Sequence, residues 1–230
     1  MNDFFESSVF FGAVVSLLAY QLGLRMKKRW RLAIFHPLLI SIIVVILFLL
    51  VCRVDYASYQ EGAKYLSYLL TPATVCLAIP LYEQLQLLKR NAAAIAAGIA
   101  AGVVTSLLCV LCLSLLFGFT HEQYVTLLPK SITTAIGIAV AEEQGGVASI
   151  TAAVIIITGV FGNMSADLIC RIFRIREPIA KGIGLGCSAH AIGTVKAMEM
   201  GEVEGAISSL SIAVAGLLTV AGAGVFTNFL

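Results

Sequence analysis

The chain has 230 residues, 60% of them hydrophobic and only 12% charged, with a mean hydropathy of +0.98. One water-soluble core of this length cannot hold so much apolar surface, which excludes an ordinary soluble domain and makes lipid the second solvent. A formal net charge of +2 gives a nucleic-acid partner no electrostatic footing.

Apolar runs follow one another along the chain at 9–24, 33–52, 92–117, 147–170 and 206–228. Each approaches or exceeds the ~20 helical residues that cross ~30 Å of hydrocarbon. The start, "MNDFFESSVFF", is acidic and has no basic leader or small-residue cleavage pattern, so the first run is expected to be a retained span. Eleven of the fifteen Lys and Arg fall in three clusters: Arg25, Lys27, Lys28, Arg29 and Arg31; Lys89 and Arg90; Arg171, Arg174, Arg176 and Lys181. The positive-inside rule puts all three on the cytoplasmic side of a multi-pass membrane protein. The N-terminus is then outside, 9–24 runs inward, and 33–52 runs outward. The stretch 56–88 returns, broken at Thr71 and Pro72, and 92–117 leaves again.

The count closes only if 119–146 starts and ends outside and 171–205 starts and ends inside. Both are too apolar for open loops, so they read as re-entrant hairpins. Each is followed by a true span, and the second limbs are alike. "AIGIAVAEEQGGV" (135–147) and "AIGTVKAMEMGEV" (191–203) agree at seven of thirteen positions with a constant offset of 56. A hairpin plus one span makes one net crossing, so tandem copies are inverted, the arrangement of many secondary transporters. A fainter echo at offset 60 aligns "TPATVCLAIPLYEQ" (71–84) with "SITTAIGIAVAEEQ" (131–144). The expected fold is therefore all-α and polytopic, with about six spans and two opposed re-entrant hairpins. Residues 1–55 form a scaffold, 56–117 a broken span and its successor, and 118–230 the hairpin repeats that make up a transport unit.

The hairpin tips fall at "LLPKSITT" (127–134) and "GIGLGCSAHAIGT" (182–194). Pro129 and Gly186 are the expected helix breaks, and Ser131 can cap the limb that follows. Non-helical backbone at membrane depth implies a protein-lined or watered cavity. Two helix N-termini facing it would favour an anion, and Lys130 adds a full positive charge. Ser131, Thr133, Thr134, Ser188 and Thr194 offer hydroxyls, and His190 is a donor, acceptor or proton carrier. Each has a plainer reading: Lys130 can snorkel to an interface, and Lys196 can pair with Glu199 or lipid phosphate. Glu142, Glu143 and Glu202 fall at the far ends of limbs. "CVLC" (109–112) lies mid-span without histidines and reads as apolar packing, and "GIGLG" has no strand before it. There is no H-E-x-x-H, no G-x-S-x-G and no cluster of metal ligands, so neither catalysis nor a cofactor is expected.

"HPLLI" (36–40), "YLLTPATVCLAIPLYEQ" (68–84), "LLPKSITTAIGIAVAEEQGG" (127–146) and "SAHAIGTVKAMEMGEVEGAISSL" (188–210) resemble the membrane proteins of the LrgB/CidB/YohK family. The resemblance implies an antiholin-like protein that affects murein hydrolase activity and lysis. It equally implies carriage of small 2-oxo or 2-hydroxy monocarboxylates, since relatives are implicated in pyruvate uptake and the plastid relative exchanges glycolate and glycerate. It also implies a homo- or hetero-oligomer with a small four-span protein of the LrgA/CidA/YohJ type. Members of the family commonly have Pro after the paired threonines and Gly after the histidine, where this chain has Ala135 and Ala191.

Overall fold

A computed structural model of the protein describes residues 10–30 and 35–230, and it is helical throughout, with no strand among the described residues. The acidic start 1–9, Arg31 and the first two residues of the apolar run 33–52 lie outside the described residues. The chain divides into two compact units, 1–76 and 77–230.

The first unit holds α1 (Phe11–Trp30), α2 (Pro37–Cys52), α3 (Tyr56–Tyr68) and α4 (Leu70–Cys76). Pro37 opens α2 at a position whose N–H would have no intrahelical partner. Arg53 ends α2 in the left-handed conformation, and Asp55 caps α3 by accepting from the Ala57 N–H at 3.1 Å. Helices α1 and α3 meet glycine to glycine. A Cβ on Gly62 would sit 2.5 Å from the Gly12 nitrogen, and the Ser16 and Tyr59 hydroxyls bond nearby at 2.7 Å. Apolar surface gains nothing by leaving lipid, so close backbone approach with a shared hydrogen bond is how such helices adhere. In place of the expected break at Thr71 and Pro72, the helix is interrupted at Leu69, whose backbone keeps right-handed helical angles (φ −77°, ψ −11°). Pro72 sits in the first turn of α4, where a missing N–H is tolerated.

The second unit holds α5 (Ala78–Glu83), α6 (Leu85–Arg90), α7 (Ala92–Phe117), α8 (His121–Leu127), α9 (Thr134–Glu143), α10 (Ala148–Ile172), α11 (Pro178–Met200) and α12 (Glu202–Phe226). Ile95, Ile99, Val103, Leu107 and Val110 form the buried stripe of α7 at helical spacing, while Val104, Leu108, Leu115 and Leu116 stay exposed. That outward apolar face is expected where the surroundings are lipid. Among the described residues, four helical stretches are long and apolar enough to cross a membrane: Tyr56–Glu83, Ala92–Phe117, Ala148–Ile172 and Glu202–Phe229. Pro37–Cys52 is apolar but shorter.

Two places in this unit turn the chain back on itself. The first is the non-helical stretch 128–133 between α8 and α9, which contains Pro129. The returning limb packs on the outgoing one, because a Cβ on Gly137 would lie 3.3 Å from the Pro129 carbonyl oxygen. Thr126 staples the base: its hydroxyl accepts from the Val147 N–H at 2.9 Å, and its carbonyl accepts from the Thr151 hydroxyl at 2.9 Å. The second is inside α11, where His190 has φ 41° and ψ −138°. Eight residues of straight helix span ~12 Å, yet a Cβ on Gly193 would lie only 2.7 Å from the Leu185 carbonyl oxygen. The segment 178–189 and the segment 191–200 are therefore two limbs of a hairpin. Gly186, an expected break, is helical instead. It serves close packing, since a Cβ there would meet Ser211 Cβ at 2.6 Å and the Ser208 carbonyl at 2.7 Å on α12.

These contacts recur at the sequence offset of 56. Pro129 against Gly137 becomes Leu185 against Gly193, and Thr126 against Thr151 becomes Gly182 against Ile207. The span following each hairpin thus packs on the same part of the first limb.

Candidate functional site

The two hairpins and α7 border an open cavity of about 790 Å³. One wall is α7, which presents Ala94, Gly98, Ala101, Thr105, Ser106 and Cys109. From Ala94 to Cys109 this wall runs ~22 Å at ~1.5 Å per residue. The opposite wall is the first limb of α11, from Glu177 through Ile179, Ile183 and Gly184 to Ser188. Lys130 and Ser131, from the tip of the first hairpin, enter the same cavity. Small residues keep the walls apart only where they face it. Along its floor the two walls meet: a Cβ on Gly98 would touch Ile183, and one on Gly102 would lie 3.3 Å from Cys187 Sγ.

The polar groups gather about the first hairpin tip. The Lys130 ammonium donates to the Ser131 hydroxyl at 3.0 Å, and Ser131 bonds the Ser106 hydroxyl of α7 at 2.8 Å. Lys130 has no carboxylate within ion-pair distance among the described residues. An ammonium has three donors, so two remain for an incoming acceptor. The Ser188 hydroxyl donates to the Gly184 carbonyl one turn back at 2.6 Å and faces the cavity as an acceptor. Glu177 is the one acidic residue in the lining, eleven residues before Ser188. The site therefore has a cationic end and a long wall of alanine, glycine and isoleucine.

The other expected site residues form a second polar group, which does not line the cavity. His190 is 3% exposed, and its Nε2 bonds the Ile155 carbonyl of α10 at 2.9 Å. Its ring lies on Gly159, where a Cβ would meet Cε1 and Nε2 at 2.7 Å. The Thr194 hydroxyl donates to the His190 carbonyl at 3.1 Å and bonds the Ser208 hydroxyl of α12 at 2.7 Å. Asn163 donates from Nδ2 to the Ile192 carbonyl at 2.8 Å. This network ties the first turn of the second limb to α10 through Asn163 and to α12 through Ser208, and so holds that limb between the two helices. Thr133 stands at the N-cap of α9 without a side-chain cap bond, and neither it nor Thr134 lines the cavity. Ser131 does not cap that helix, because its hydroxyl is engaged by Lys130 and Ser106.

Lys196 pairs with Glu199 at 3.7 Å, as expected, and more closely with Asp167 at 2.7 Å. Cys109, read from the sequence as packing, lines the cavity and is exposed, as is Cys112. Sequence reasoning missed Thr105, Ser106 and Asn163. The signal was present: 98, 101, 102, 105, 106 and 109 are all small or polar residues at helical spacing in a helix otherwise rich in Leu and Val. Asn163 is an amide in the middle of an apolar span, which marks a functional or structural polar contact by itself.

A family model described as "LrgB-like family" matches residues 16–229. The relatives include "Antiholin-like protein LrgB" of Bacillus cereus (strain B4264) and of Bacillus anthracis (strain CDC 684 / NRRL 3495). Each is 36% identical over 222 residues, covering 96% of this chain and 96% of the relative. No solved structure matches the chain.

Proposed function

Because the chain belongs to the LrgB-like family of membrane proteins, we propose that it is a secondary transporter or facilitator of small 2-oxo and 2-hydroxy monocarboxylates. The observation that carries this reading is Lys130, an ammonium without a carboxylate partner among the described residues, held by Ser131 at the end of a cavity. A carboxylate would take the two remaining ammonium donors, and the hydroxyls of Thr105 and Ser106 would read the 2-oxo or 2-hydroxy oxygen. The protein lies in the bacterial inner membrane with its N-terminus outside and its basic clusters in the cytoplasm. The two fold-backs are then re-entrant hairpins, the first entering from outside and the second from inside. The contacts repeated at offset 56 support an inverted repeat, and the cavity, bordered by residues 94 and 177, opens toward the cytoplasm. A small partner of the LrgA/CidA/YohJ type completes the assembly. His190 and Thr194 act on this site by fixing the second hairpin rather than by touching substrate.

The test is uptake of labelled pyruvate, lactate and glycolate into proteoliposomes holding the chain, with and without the partner. Lys130→Ala is expected to abolish carboxylate flux, and normal flux from the folded variant overturns the role. Cysteines placed at Ser131 and Ser188 are expected to react with water-borne reagents and to be protected by substrate.

The name of the relatives favours a second reading, an antiholin-like regulator of murein hydrolase activity and lysis that carries nothing. That protein would work through its exposed apolar helix faces and a holin-like partner. It would keep its effect on lysis in the Lys130→Ala variant, whereas a transporter would lose both together.

A further inference from the structure

The cavity is far larger than a three-carbon acid needs: about 790 Å³ lies in the range that encloses drug-sized ligands. Its polar groups are concentrated at one end. Beyond Lys130 and Ser106 the walls are Ala101, Gly98 and Ala94 on α7, and Ile183, Ala180 and Ile179 on α11. Ala94 and Ala101 are exposed to this space rather than packed, so the trough is open along its length. At its far end stands Glu177, which repels a second negative charge. A methylene group laid along such a wall leaves water and gains affinity, while a charged tail meets no partner there.

Resting on the transport reading above, we infer that this site selects monocarboxylates with apolar tails: the carboxylate sits on Lys130 and the carbon chain lies in the trough between Ala94–Ala101 and Ile179–Ile183. Chain length is therefore a determinant of recognition, and dicarboxylates are excluded. Full burial of a methylene corresponds to about fourfold in affinity. With one side of the trough open, the expected gain is about two- to fourfold per carbon.

The experiment uses the full chain in proteoliposomes, in a variant whose only cysteine is Cys109, which lines the same cavity. The rate of maleimide labelling is measured against pyruvate, 2-oxobutanoate, 2-oxopentanoate and 2-oxohexanoate. The half-protecting concentration is expected to fall about two- to fourfold at each step. 2-Oxoglutarate has the five carbons of 2-oxopentanoate and a second carboxylate, and it is expected to protect at least tenfold more weakly. Ala101→Phe fills the trough and is expected to flatten the series. The same acids are ranked by thermal stabilisation of the unmodified protein in detergent, a readout independent of the thiol. Equal protection by all four acids, or protection by 2-oxoglutarate as good as by 2-oxopentanoate, overturns the tail site while leaving carboxylate recognition intact. Absence of protection and of stabilisation by every acid overturns both the tail site and the transport reading.

Discussion

Gly159→Ala tests whether the break at His190 is held by its packing against α10. A Cβ at Gly159 would lie 2.7 Å from both Cε1 and Nε2 of His190 and 2.9 Å from Ile192 Cδ1. The imidazole is buried and tied to the Ile155 carbonyl at 2.9 Å, so it has to retreat and surrender that bond. Overpacking costs about 1–3 kcal/mol, and a buried polar group left unpaired about 1–3 kcal/mol. The helix-propensity gain of alanine over glycine returns about 1 kcal/mol, which leaves a net loss of roughly 1–5 kcal/mol. Gly184→Ala is the control, since nothing lies within 4 Å of its Cβ and it sits in regular helix. It should gain up to about 1 kcal/mol. At about 2–4 °C per kcal/mol for a chain of this size, the two variants should melt about 2–24 °C apart, with Gly159→Ala lower. Helical circular dichroism of the purified protein in detergent on heating measures this. Melting of the two variants within 2 °C of each other refutes the claim that the ring on Gly159 is what fixes the hairpin.

Asn163→Leu removes the side-chain bond to the Ile192 carbonyl beside the break; the expected loss is about 0.5–1.5 kcal/mol, read as a lowered melting temperature. Gly193→Ala pushes a Cβ against the Leu185 carbonyl oxygen and Ala189 Cβ, whereas Gly137→Ala meets chiefly the flexible tip of Ile155. The Gly193 variant should therefore melt lower than the Gly137 variant, by the equivalent of about 1–3 kcal/mol. Lys196→Ala removes pairs with Asp167 and Glu199, whose side chains are 65% and 49% exposed. Screening limits that loss to under about 1 kcal/mol, so its melting curve should nearly overlay that of the unaltered protein.

The all-helical, membrane-spanning class of the fold was legible because it follows from bulk constraints. Apolar runs of span length, three basic clusters and a pair of segments too apolar for loops leave few ways to thread a membrane. Pro129 marked the first reversal for a local reason, its missing N–H. The second was less legible because glycine has two uses. Gly182 and Gly186 looked like turn residues, yet both are helical and serve to bring α11 against α12. The chain instead breaks at a histidine with positive φ, a conformation that costs on the order of 1–3 kcal/mol. Only the surrounding bonds to Ile155 and from Asn163 and Thr194 make it tenable, and these come from residues 27 or more positions away as well as from the same limb. Hydroxyls were equally ambiguous. Thr194 reads as a ligand in sequence, but its hydroxyl is spent on the His190 carbonyl one turn back and on the Ser208 hydroxyl of α12.

This division of the polar residues bears on how the site could move. Ser188 faces the cavity, while His190, two residues later, points its ring at α10. The reversal of the chain lies between those two environments, so a rotation about φ or ψ of His190 changes what faces the cavity and what faces α10 at once. The first hairpin has no such link: Lys130 and Ser131 at its tip bond within the cavity, and its base is clamped by Thr126 to Val147 and Thr151. An anion bound at Lys130, as proposed, would draw chiefly on the first hairpin, and the strained backbone sits in the second. A ligand shifts such an equilibrium only by its differential contact with the two arrangements. Ser188 and the first limb of α11 provide the one wall of the cavity that belongs to the strained element. Contacts made there, rather than the stronger ion pair at Lys130, are the ones able to bias its conformation.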